Sequence, residues 1–320
     1  MINTTTTETA APVAPAHELK FKPKSSGYIP KGLTLVAVII IITMLAFIMG
    51  NIIVGGAGTI SLEFLTHPPE NGMEEGGIFP AIFGTVFLVI IMVIAVVPIG
   101  VLTAVYLQEY TRPDSRMTRL IRVAVNNLAG VPAIVFGLFG LGFFIGFVGG
   151  GIDKVFFESE GPVWGQPAIL WAALTLALLT LPVVIVSTEE ALRTIPSELK
   201  EASYALGATK LQTIRRIIIP QSMPGILTGS ILAVGRGAGE VAPIMFTGAA
   251  YYLPYLPSKL NDQFMELGYH IYVMATQSPD VEKTKPILYG TVLVLLLLTF
   301  LLNLVAILIR SSMRKRRANV

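Results

Sequence analysis

Six long apolar runs dominate this sequence of 320 residues and restrict what it can fold into. As α-helices rising about 1.5 Å per residue, they are long enough to cross the ~30 Å hydrocarbon layer of a bilayer. A soluble domain could not cover the apolar surface of a chain with 53% hydrophobic and 13% charged residues. The runs lie near residues 33–54, 81–107, 123–148, 168–187, 226–247 and 286–309. We therefore predict an all-α, polytopic membrane protein with six transmembrane helices.

Lysine and arginine are distributed unevenly over the segments that connect these runs. Eighteen of the 23 lie in the N-terminal tail, in residues 108–122, in residues 188–225 and in the C-terminal tail from Arg310 onward. The three alternate loops hold four, and the remaining one is Arg236. Because the cytoplasmic loops of membrane proteins are enriched in basic residues, both termini are predicted to be cytoplasmic.

The predicted domain organisation follows from these boundaries. Residues 1–32, rich in Thr, Ala and Pro, are predicted to form a disordered cytoplasmic tail. Residues 33–310 form the six-helix transmembrane domain, with residues 188–225 as its longest cytoplasmic loop, and residues 311–320 form a basic cytoplasmic tail. The first run follows a polar region of about thirty residues and lacks a small-x-small cleavage site, so we expect a span and not a signal peptide.

Glycines recur at intervals of four residues in or beside the apolar runs. They are Gly142, Gly146 and Gly150; Gly225 and Gly229; and Gly235 and Gly239. This spacing places small residues on one helix face, where they let helix backbones approach closely inside lipid. We predict close helix packing at these positions, and a glycine hinge is the alternative.

The residue types on which most enzymes depend are missing or scattered. The chain has no cysteine, which excludes disulfides and thiolate sites. It contains no G-x-x-x-x-G-K-[ST] loop for ATP and no H-E-x-x-H or G-x-S-x-G motif. His17, His67 and His270 are far apart and outside the apolar runs, so we predict solvated loop histidines and not a metal site. We expect a chain that is not an enzyme, binds no cofactor of its own, and contacts lipid but no nucleic acid.

The stretch GRGAGEVAPIMF, residues 235–246, places two charged side chains in the fifth apolar run. Charged groups at such depth are energetically costly and are commonly functional. Arg236 lies about ten residues, or roughly 15 Å, inside the run, and Glu240 follows one helical turn later on the same face. The two residues form either a structural ion pair or part of a polar path. Pro243, just beyond them, predicts either a kink for packing or an unwound segment.

The longest cytoplasmic loop has the pattern of two short helices separated by a sharp turn. Ser197 is predicted to cap the first helix, and Gly207 is predicted to end it in a left-handed conformation. Thr209 is predicted to cap a second, basic helix over 210–219, which Pro220 closes. Small apolar side chains on the first helix suit docking into a groove of a cytoplasmic partner. A helix pair resting on lipid headgroups is the alternative.

This loop resembles the EAA loop of ABC importer permeases, in which Glu-Ala-Ala is followed by three residues, Gly, nine residues and Ile-x-Leu-Pro. The match covers residues 201–207 and 217–220, with Ser203 in place of the second Ala and Ile219 in place of Leu. The resemblance implies a coupling helix that engages a separate ATPase subunit, which uses ATP and Mg. The implied coupling residues are Glu201, Ala202, Ser203, Ala205, Leu206 and Gly207.

Two further stretches are similar to segments of phosphate permeases. NLAGVPAIVFGLFGLG, residues 127–142, matches a segment in which Ser is usual at the position of Ala133. GRGAGEVAPIMFTGA, residues 235–249, resembles a segment of PstA-type subunits, with Gly237 for Ala and Val241 for Thr. On these motifs the chain is identified as a member of the PstA-type permeases of phosphate ABC importers. The resemblance implies a type I ABC importer (MetI-like) fold in a prokaryotic inner or plasma membrane.

The resemblance, which covers about residues 80–310, also implies partners. They are a homologous PstC-like second permease, a PstB-like ATPase dimer, an external PstS-like phosphate-binding protein, and phosphate itself. We hypothesise that Arg236 lines the translocation path as a cationic station, that is, a positively charged position where the anion binds transiently. Glu240 would adjust the strength of this binding. Two alternatives stay open: a permease for another oxyanion (sulfate, molybdate, tungstate or phosphonate), and a membrane scaffold that senses phosphate without transporting it.

Overall fold

The computed structural model describes residues 28–112, 114–157 and 161–318, and the chain is predominantly helical. It divides after Gly50 into two units, the first of which contributes the beginning of α1. The α-helices are α1 (Tyr28–Gly56), α2 (Leu62–Thr66), α3 (Phe79–Val105), α4 (Arg116–Ala129), α5 (Ala133–Phe139), α6 (Gly150–Phe156), α7 (Ile169–Arg193), α8 (Ser197–Ala205), α9 (Lys210–Thr213), α10 (Ile219–Gly237), α11 (Leu267–Gln277) and α12 (Val281–Ala318). Wider π-helical segments extend α3, join α5 to α6 and join α9 to α10; they are Tyr106–Tyr110, Gly140–Gly149 and Ile214–Ile218.

Six helical segments of the described residues are long and apolar enough to cross a membrane. They are Pro30–Thr59, Phe79–Tyr110, Ala133–Phe156, Ile169–Arg193, Lys210–Gly237 and Val281–Ser312. The predicted number of spans and the all-α class are therefore confirmed. Each segment overlaps one predicted run, but two of the runs have wrong boundaries.

The third predicted run, 123–148, is divided between two helices. α4 ends at Ala129, and α5 begins at Ala133, directly after Pro132. Proline lacks a backbone N–H and disfavours helix in the residue before it. α4 is therefore a separate amphipathic helix, and the spanning segment begins only after the proline.

The fifth predicted run, 226–247, is displaced along the chain. The continuous helix is Lys210–Gly237, and Pro220 does not end it. The π-helical segment Ile214–Ile218 comes just before this proline. A widened turn there removes the conflict between the proline ring and regular α-helical hydrogen bonds.

The predicted tails differ from the structure at their inner ends. Residues 1–27 lie outside the described residues, and with them most of the tail predicted as disordered. α1 already begins at Tyr28, earlier than the predicted residue 33. α12 continues to Ala318, so most of the predicted basic tail is helical.

α7 lies between α3 and α10 and forms the centre of the bundle. Leu176 of α7 packs in one apolar cluster with Leu88 and Met92 of α3 and Ala233 of α10. All four side chains are fully buried. Burying each large apolar side chain of this kind contributes roughly 1.5–3 kcal/mol relative to water, although helix contacts inside lipid depend more on close packing.

The glycines of α10 face α7 at close range. A side chain on Gly225 would overlap Ala191, and one on Gly229 would overlap Ser187. The predicted packing role is therefore confirmed at these two positions. A side chain on Gly142, by contrast, would meet open space in this chain.

The bundle has two distinct ends, which serve as references below. The loop end is formed where α7 leads into α8 and the turn before α9. The opposite end carries an antiparallel hairpin, β1 (Pro69–Glu70) with β2 (Glu75–Gly76), and the helix α11. α3 and α7 both run from the opposite end to the loop end, and α10 runs back.

Candidate functional site

The Arg236–Glu240 pair lies where α10 ends. The helix stops at Gly237, and the N–H groups of Gly239 and Glu240 donate to the carbonyl oxygens of Arg236 and Gly237 over 3.3 and 3.4 Å. Each of these bonds connects residues three apart, so the last turn is tighter than an α-helix. The Nε of Arg236 donates to Oε1 of Glu240 at 3.3 Å. The predicted ion contact is present, although the predicted continuation of the helix through Glu240 is wrong.

The chain stays irregular beyond the pair. Pro243 precedes a short 3-10 turn, Ile244–Phe246, and its carbonyl oxygen accepts a hydrogen bond from the hydroxyl of Thr247 at 2.9 Å. Of the two alternatives for Pro243, the structure shows the unwound segment. Such backbone is tolerated at membrane depth where protein or water satisfies its polar groups.

The depth of Arg236 follows from the helices that pack beside it. Gly229, two turns earlier, faces Ser187 of α7, and Gly237, the next residue, faces Met92 of α3. Met92 is the central residue of the helix Phe79–Val105. Arg236 therefore lies level with the middle of a spanning helix, roughly 20 Å from either end of α3. The packing supports the predicted mid-depth position, even though the predicted helix boundaries are different.

The pair faces a surface of this chain and not its interior. The side chain of Arg236 is 40% exposed, and that of Glu240 is 24% exposed. An ion pair that neutralised itself inside the bundle would be enclosed by other helices. Because hydrocarbon cannot solvate charges, an accessible pair at this depth requires a neighbouring protein surface or water beside it.

Backbone hydrogen bonds hold the segment that follows the pair. The N–H of Ala168 donates to the carbonyl oxygen of Thr247 at 2.9 Å, and the N–H of Ala250 donates to that of Phe264 at 2.8 Å. These contacts fasten the unwound segment to the start of α7 and to the strand-like stretch before α11. The irregular backbone is thus supported by the fold.

Asn303 of α12 is a polar residue beside the pair that sequence reasoning did not identify. Its side-chain amide lies against Gly235, the residue before Arg236. The amide oxygen is buried and has no hydrogen-bond partner within the described part of the chain. A lone asparagine in the last apolar run was the available signal, since polar side chains in spans commonly face another helix or a cavity.

The turn at the loop end forms as predicted, but the first helix cap does not. Pro196 precedes α8, and the hydroxyl of Ser197 makes no cap, so that prediction is wrong. Gly207 adopts a left-handed conformation with φ of +81°, where other residues would be strained. Thr209 and Gln212 form a reciprocal capping box at the start of α9.

Two interior contacts fasten α8 to the bundle. The hydroxyl groups of Ser203 and Thr213 are hydrogen-bonded at 2.8 Å and buried. The Nζ of Lys200 contacts Oε1 of Glu109 at 2.6 Å, at the end of the π-helical extension of α3. Ser203 therefore faces inward, in contrast to the other residues implied as coupling residues.

Apolar and small side chains are exposed on the outward face of the loop end. Leu206 is 90% exposed. The remaining implied coupling residues are also exposed; they are Glu201, Ala202, Ala205 and Gly207. An isolated leucine is ordinary on a protein surface, but here it stands beside small side chains on a helix that interior contacts hold in place. This arrangement presents an exposed leucine, small side chains and Glu201 together at the loop end.

Glu266 and His270 of α11 are buried titratable groups, and the prediction that His270 is a solvated loop histidine is wrong. Glu266 caps α11 by accepting hydrogen bonds from two backbone N–H groups of the first turn at 2.8 and 2.6 Å. Burial raises its pKa to about 7, and these hydrogen bonds oppose the rise. Burial lowers the pKa of His270 to about 4. Within the described residues, neither ring nitrogen of His270 has a hydrogen-bond partner. His67 is exposed as predicted, and His17 lies outside the described residues.

These two groups predict opposite dependences of stability on pH. Glu266 keeps its proton up to about pH 7 when folded but releases it near 4.5 when unfolded, so its contribution is full below pH 4.5 and is lost as pH rises to 7. His270 stays neutral down to about pH 4 when folded but binds a proton below 6.5 when unfolded, so its contribution is full above pH 6.5 and is lost as pH falls to 4.

We expect Glu266→Gln to leave an unfolding free energy that rises with pH between about 4.5 and 6.5, by up to ~1.4 kcal/mol per pH unit. His270→Gln is expected to leave an unfolding free energy that falls as pH rises over the same pH range. Thermal unfolding of the detergent-solubilised chain as a function of pH measures both slopes. Parallel slopes in the two variants would show that the groups do not titrate as their burial requires.

A family model described as the binding-protein-dependent transport system inner membrane component matches residues 96–318. The probable ABC transporter permease YqgI of Bacillus subtilis is 35% identical to this chain, over 65% of the chain and 65% of its own length. The phosphate transport system permease PstA 1 of Mycobacterium tuberculosis is 35% identical over 79% of this chain and 77% of its own length. A probable phosphate transport system permease PstA of Methanocaldococcus jannaschii is 32% identical over 71% of this chain and 73% of its own length.

Solved ABC transporter structures share the fold of this chain. A bacterial alginate ABC transporter, in complex with an alginate pentasaccharide-bound periplasmic protein, matches with a TM-score of 0.61 at 16% identity, over 91% of this chain and 95% of its own. A second structure, of a bacterial ABC transporter involved in the import of alginate, matches with a TM-score of 0.60 at 14% identity. The match covers 89% of this chain and 97% of that one. The predicted type I ABC importer permease fold is thereby confirmed, while the low identities say nothing about substrate.

Proposed function

Because the chain belongs to the family of binding-protein-dependent transport system inner membrane components, we propose that it is the permease subunit of an ATP-driven importer of inorganic phosphate. Relatives named as phosphate transport system permeases support this choice of substrate. The observation that carries the proposal is the Arg236–Glu240 pair, which lies at mid-depth on an accessible face. The chain resides in a prokaryotic inner or plasma membrane with both termini in the cytoplasm, so the loop end is cytoplasmic.

A guanidinium at mid-depth is suited to a tetrahedral oxyanion. Phosphate near neutral pH carries one or two negative charges and cannot cross hydrocarbon unaided. The planar fork of an arginine matches phosphate oxygens and is always charged. Glu240 holds Arg236 when no anion is present and competes with the anion for it. This competition weakens binding enough for the anion to leave, which any conduit requires.

Partner chains supply the parts that this chain lacks. A second, homologous permease covers the accessible face of the pair, so the path lies between two chains. A pair of ATPase subunits binds the outward face of α8 and its counterpart on the second permease, and uses ATP and Mg. An external binding protein delivers phosphate at the opposite end. This chain binds no cofactor and does not hydrolyse ATP.

The coupling helix has a direct mechanical connection to Arg236. α8 joins α7 to the continuous helix Lys210–Gly237, in whose last turn Arg236 lies. Its inner face is tied to Thr213 through Ser203 and to α3 through Lys200. A displacement of α8 by the ATPase therefore moves α10 along α7, and this motion opens and closes the path beside the pair.

The substrate is tested by reconstituting the complete complex in proteoliposomes: this chain, the second permease, the ATPase and the binding protein. We expect ATP-dependent uptake of labelled phosphate that excess sulfate or molybdate does not reduce. Preferential uptake of sulfate or molybdate would assign another oxyanion. An assembled complex that transports none of the three would contradict transport and favour the sensing scaffold.

Arg236→Gln is expected to abolish phosphate uptake while the complex assembles and retains its basal ATPase activity. Glutamine removes the charge but keeps a polar side chain of moderate length, so the anion loses its mid-depth station. Losing a charge contact that is shielded from water costs ~2 kcal/mol or more. This cost corresponds to a decrease in the initial rate of uptake of about 30-fold or more. The initial rate of uptake and the ATPase rate are measured on the same proteoliposomes.

Two matched variants control for charge and pairing. Arg236→Lys keeps the cation without the planar fork and is expected to retain part of the uptake. Glu240→Gln removes the competitor and is expected to assemble normally while releasing phosphate more slowly. Normal transport by Arg236→Gln, or its failure to assemble, would favour the structural ion pair instead.

Leu206→Asp is expected to prevent stable binding of the ATPase without unfolding the permease. The substitution places a carboxylate where an apolar anchor would be buried, and burying an unpaired charge is strongly unfavourable. Co-purification of the ATPase with the permease measures the effect. Leu62→Asp is the matched control, because Leu62 is 79% exposed at the opposite end. Undiminished ATPase binding by Leu206→Asp would show that this face does not couple.

A further inference from the structure

A groove with a volume of about 720 Å³ runs between α7, α10 and α12 on the loop-end side of Arg236. Its polar lining residues include Ser187, Thr194, Gln221, Thr228, Arg310 and Ser311. Polar groups in spanning segments face a cavity or another protein chain and avoid lipid. The neighbouring face of α12 differs, since it exposes Leu308 and Ile309. The groove therefore combines polar and apolar lining residues, in contrast to the apolar face of α12 beside it.

Arg310 supplies the positive charge of this groove. Its Nη1 donates to the hydroxyl of Thr228 at 2.9 Å, and that hydroxyl donates to the carbonyl oxygen of Pro224 at 2.8 Å. No carboxylate in the described residues lies within 4.0 Å of its nitrogen atoms, although Glu190 lines the same groove. A guanidinium has five N–H donors, so one hydroxyl fixes its position and leaves donors for a ligand.

One face of α10 leads from this arginine to the mid-depth pair. Thr228 and Leu232 line the groove, and Arg236 follows Leu232 at the same four-residue interval. Residues at this spacing lie on one helix face. Arg310 contacts Thr228, and the backbone positions of Thr228 and Arg236 are about 12 Å apart along the helix axis.

One face of α12 makes the same connection. Asn303, Ile307 and Arg310 follow one another at intervals of four and three residues, so they share a face. Ile307 and Arg310 line the groove, and the amide of Asn303 lies against Gly235, beside Arg236. Its buried amide oxygen has no hydrogen-bond partner among the described residues, so a polar group lies on this face beside Arg236 as well as at Arg310.

We propose that this groove is the route by which the oxyanion leaves Arg236 towards the loop end, and that Arg310 is a second cationic station near its exit. The inference rests on the proposed function of the chain. A second cation, about two helical turns nearer the loop end along α10, lowers the cost of the step that follows release from Arg236. Asn303 offers a neutral amide beside Arg236, and Glu190 opposes tight binding at Arg310 and favours release.

Uptake of labelled phosphate by the reconstituted complex tests the station. Arg310→Gln is expected to lower the initial rate about tenfold or more, as for a lost charge contact with a moving ion, with assembly and basal ATPase activity unchanged. Arg310→Lys is expected to keep most of the rate. Arg119→Gln, which removes an exposed arginine of α4 away from the groove, is expected to behave like the unaltered chain.

The outcomes separate this inference from the proposed function. If the unaltered complex takes up no phosphate, the proposed function fails. If it does and Arg310→Gln transports at the same rate, the second station fails alone. The phosphate of a lipid headgroup has the same chemistry as the free anion, so vesicles with and without phosphatidylglycerol are compared. A loss confined to vesicles with phosphatidylglycerol would assign the site to a headgroup and overturn the proposal.

The absence of native cysteine permits a second test that does not depend on transport. Ile307→Cys in the groove is expected to react from the loop-end side with a membrane-impermeant, anionic methanethiosulfonate faster than with a cationic one. Arg310→Gln is expected to remove this preference. Ile309→Cys, on the lipid-facing side of α12, is expected to react slowly with both. Equal reactivity of Ile307→Cys and Ile309→Cys would show that the groove is not an aqueous path.

Discussion

The close packing of α10 against α7 is the contact on which the other features of this chain depend. Gly225 and Gly229 leave no space for side chains between the two helices, so the backbones of α10 and α7 lie in close contact. This contact sets the depth of Arg236 and aligns Thr228 with Arg310 of α12. The loop that contains α8 connects the same two helices. Their contact therefore links the loop end, the groove and the charged pair.

The loop end attaches α8 to the rest of the bundle. Gly207 allows the chain to reverse sharply between α8 and α9, and the capping box of Thr209 starts the next helix immediately. The inner face of α8 is held by the hydroxyl pair of Ser203 and Thr213 and by the Lys200 ion contact. These contacts attach α8 to the rest of the bundle. Its outward face, with Leu206, remains available to a partner.

Features set by local chemistry could be predicted from the sequence, and features set by distant contacts could not. The spans follow from apolar length, and Gly207 and Thr209 follow from the backbone preferences of single residues. The continuation of the helix through Pro220 was missed because it depends on a widened turn just before the proline. No residue pattern in the sequence predicts that turn. The burial of His270 was missed because it arises when α11 packs against α3, which lies far away in the sequence, and against α12, which follows it in the chain.

The accessible position of the Arg236–Glu240 pair supports the proposed polar path over a structural ion pair. The two charges belong to one stretch of chain, four residues apart, so their contact does not join separate helices of the bundle. Placing the same charges at mid-depth is costly unless protein or water solvates them. The isolated chain offers no enclosure for them within its described residues, so the compensation has to come from outside it. We infer that the pair is suited to an assembly in which a second chain and water complete a path beside α10.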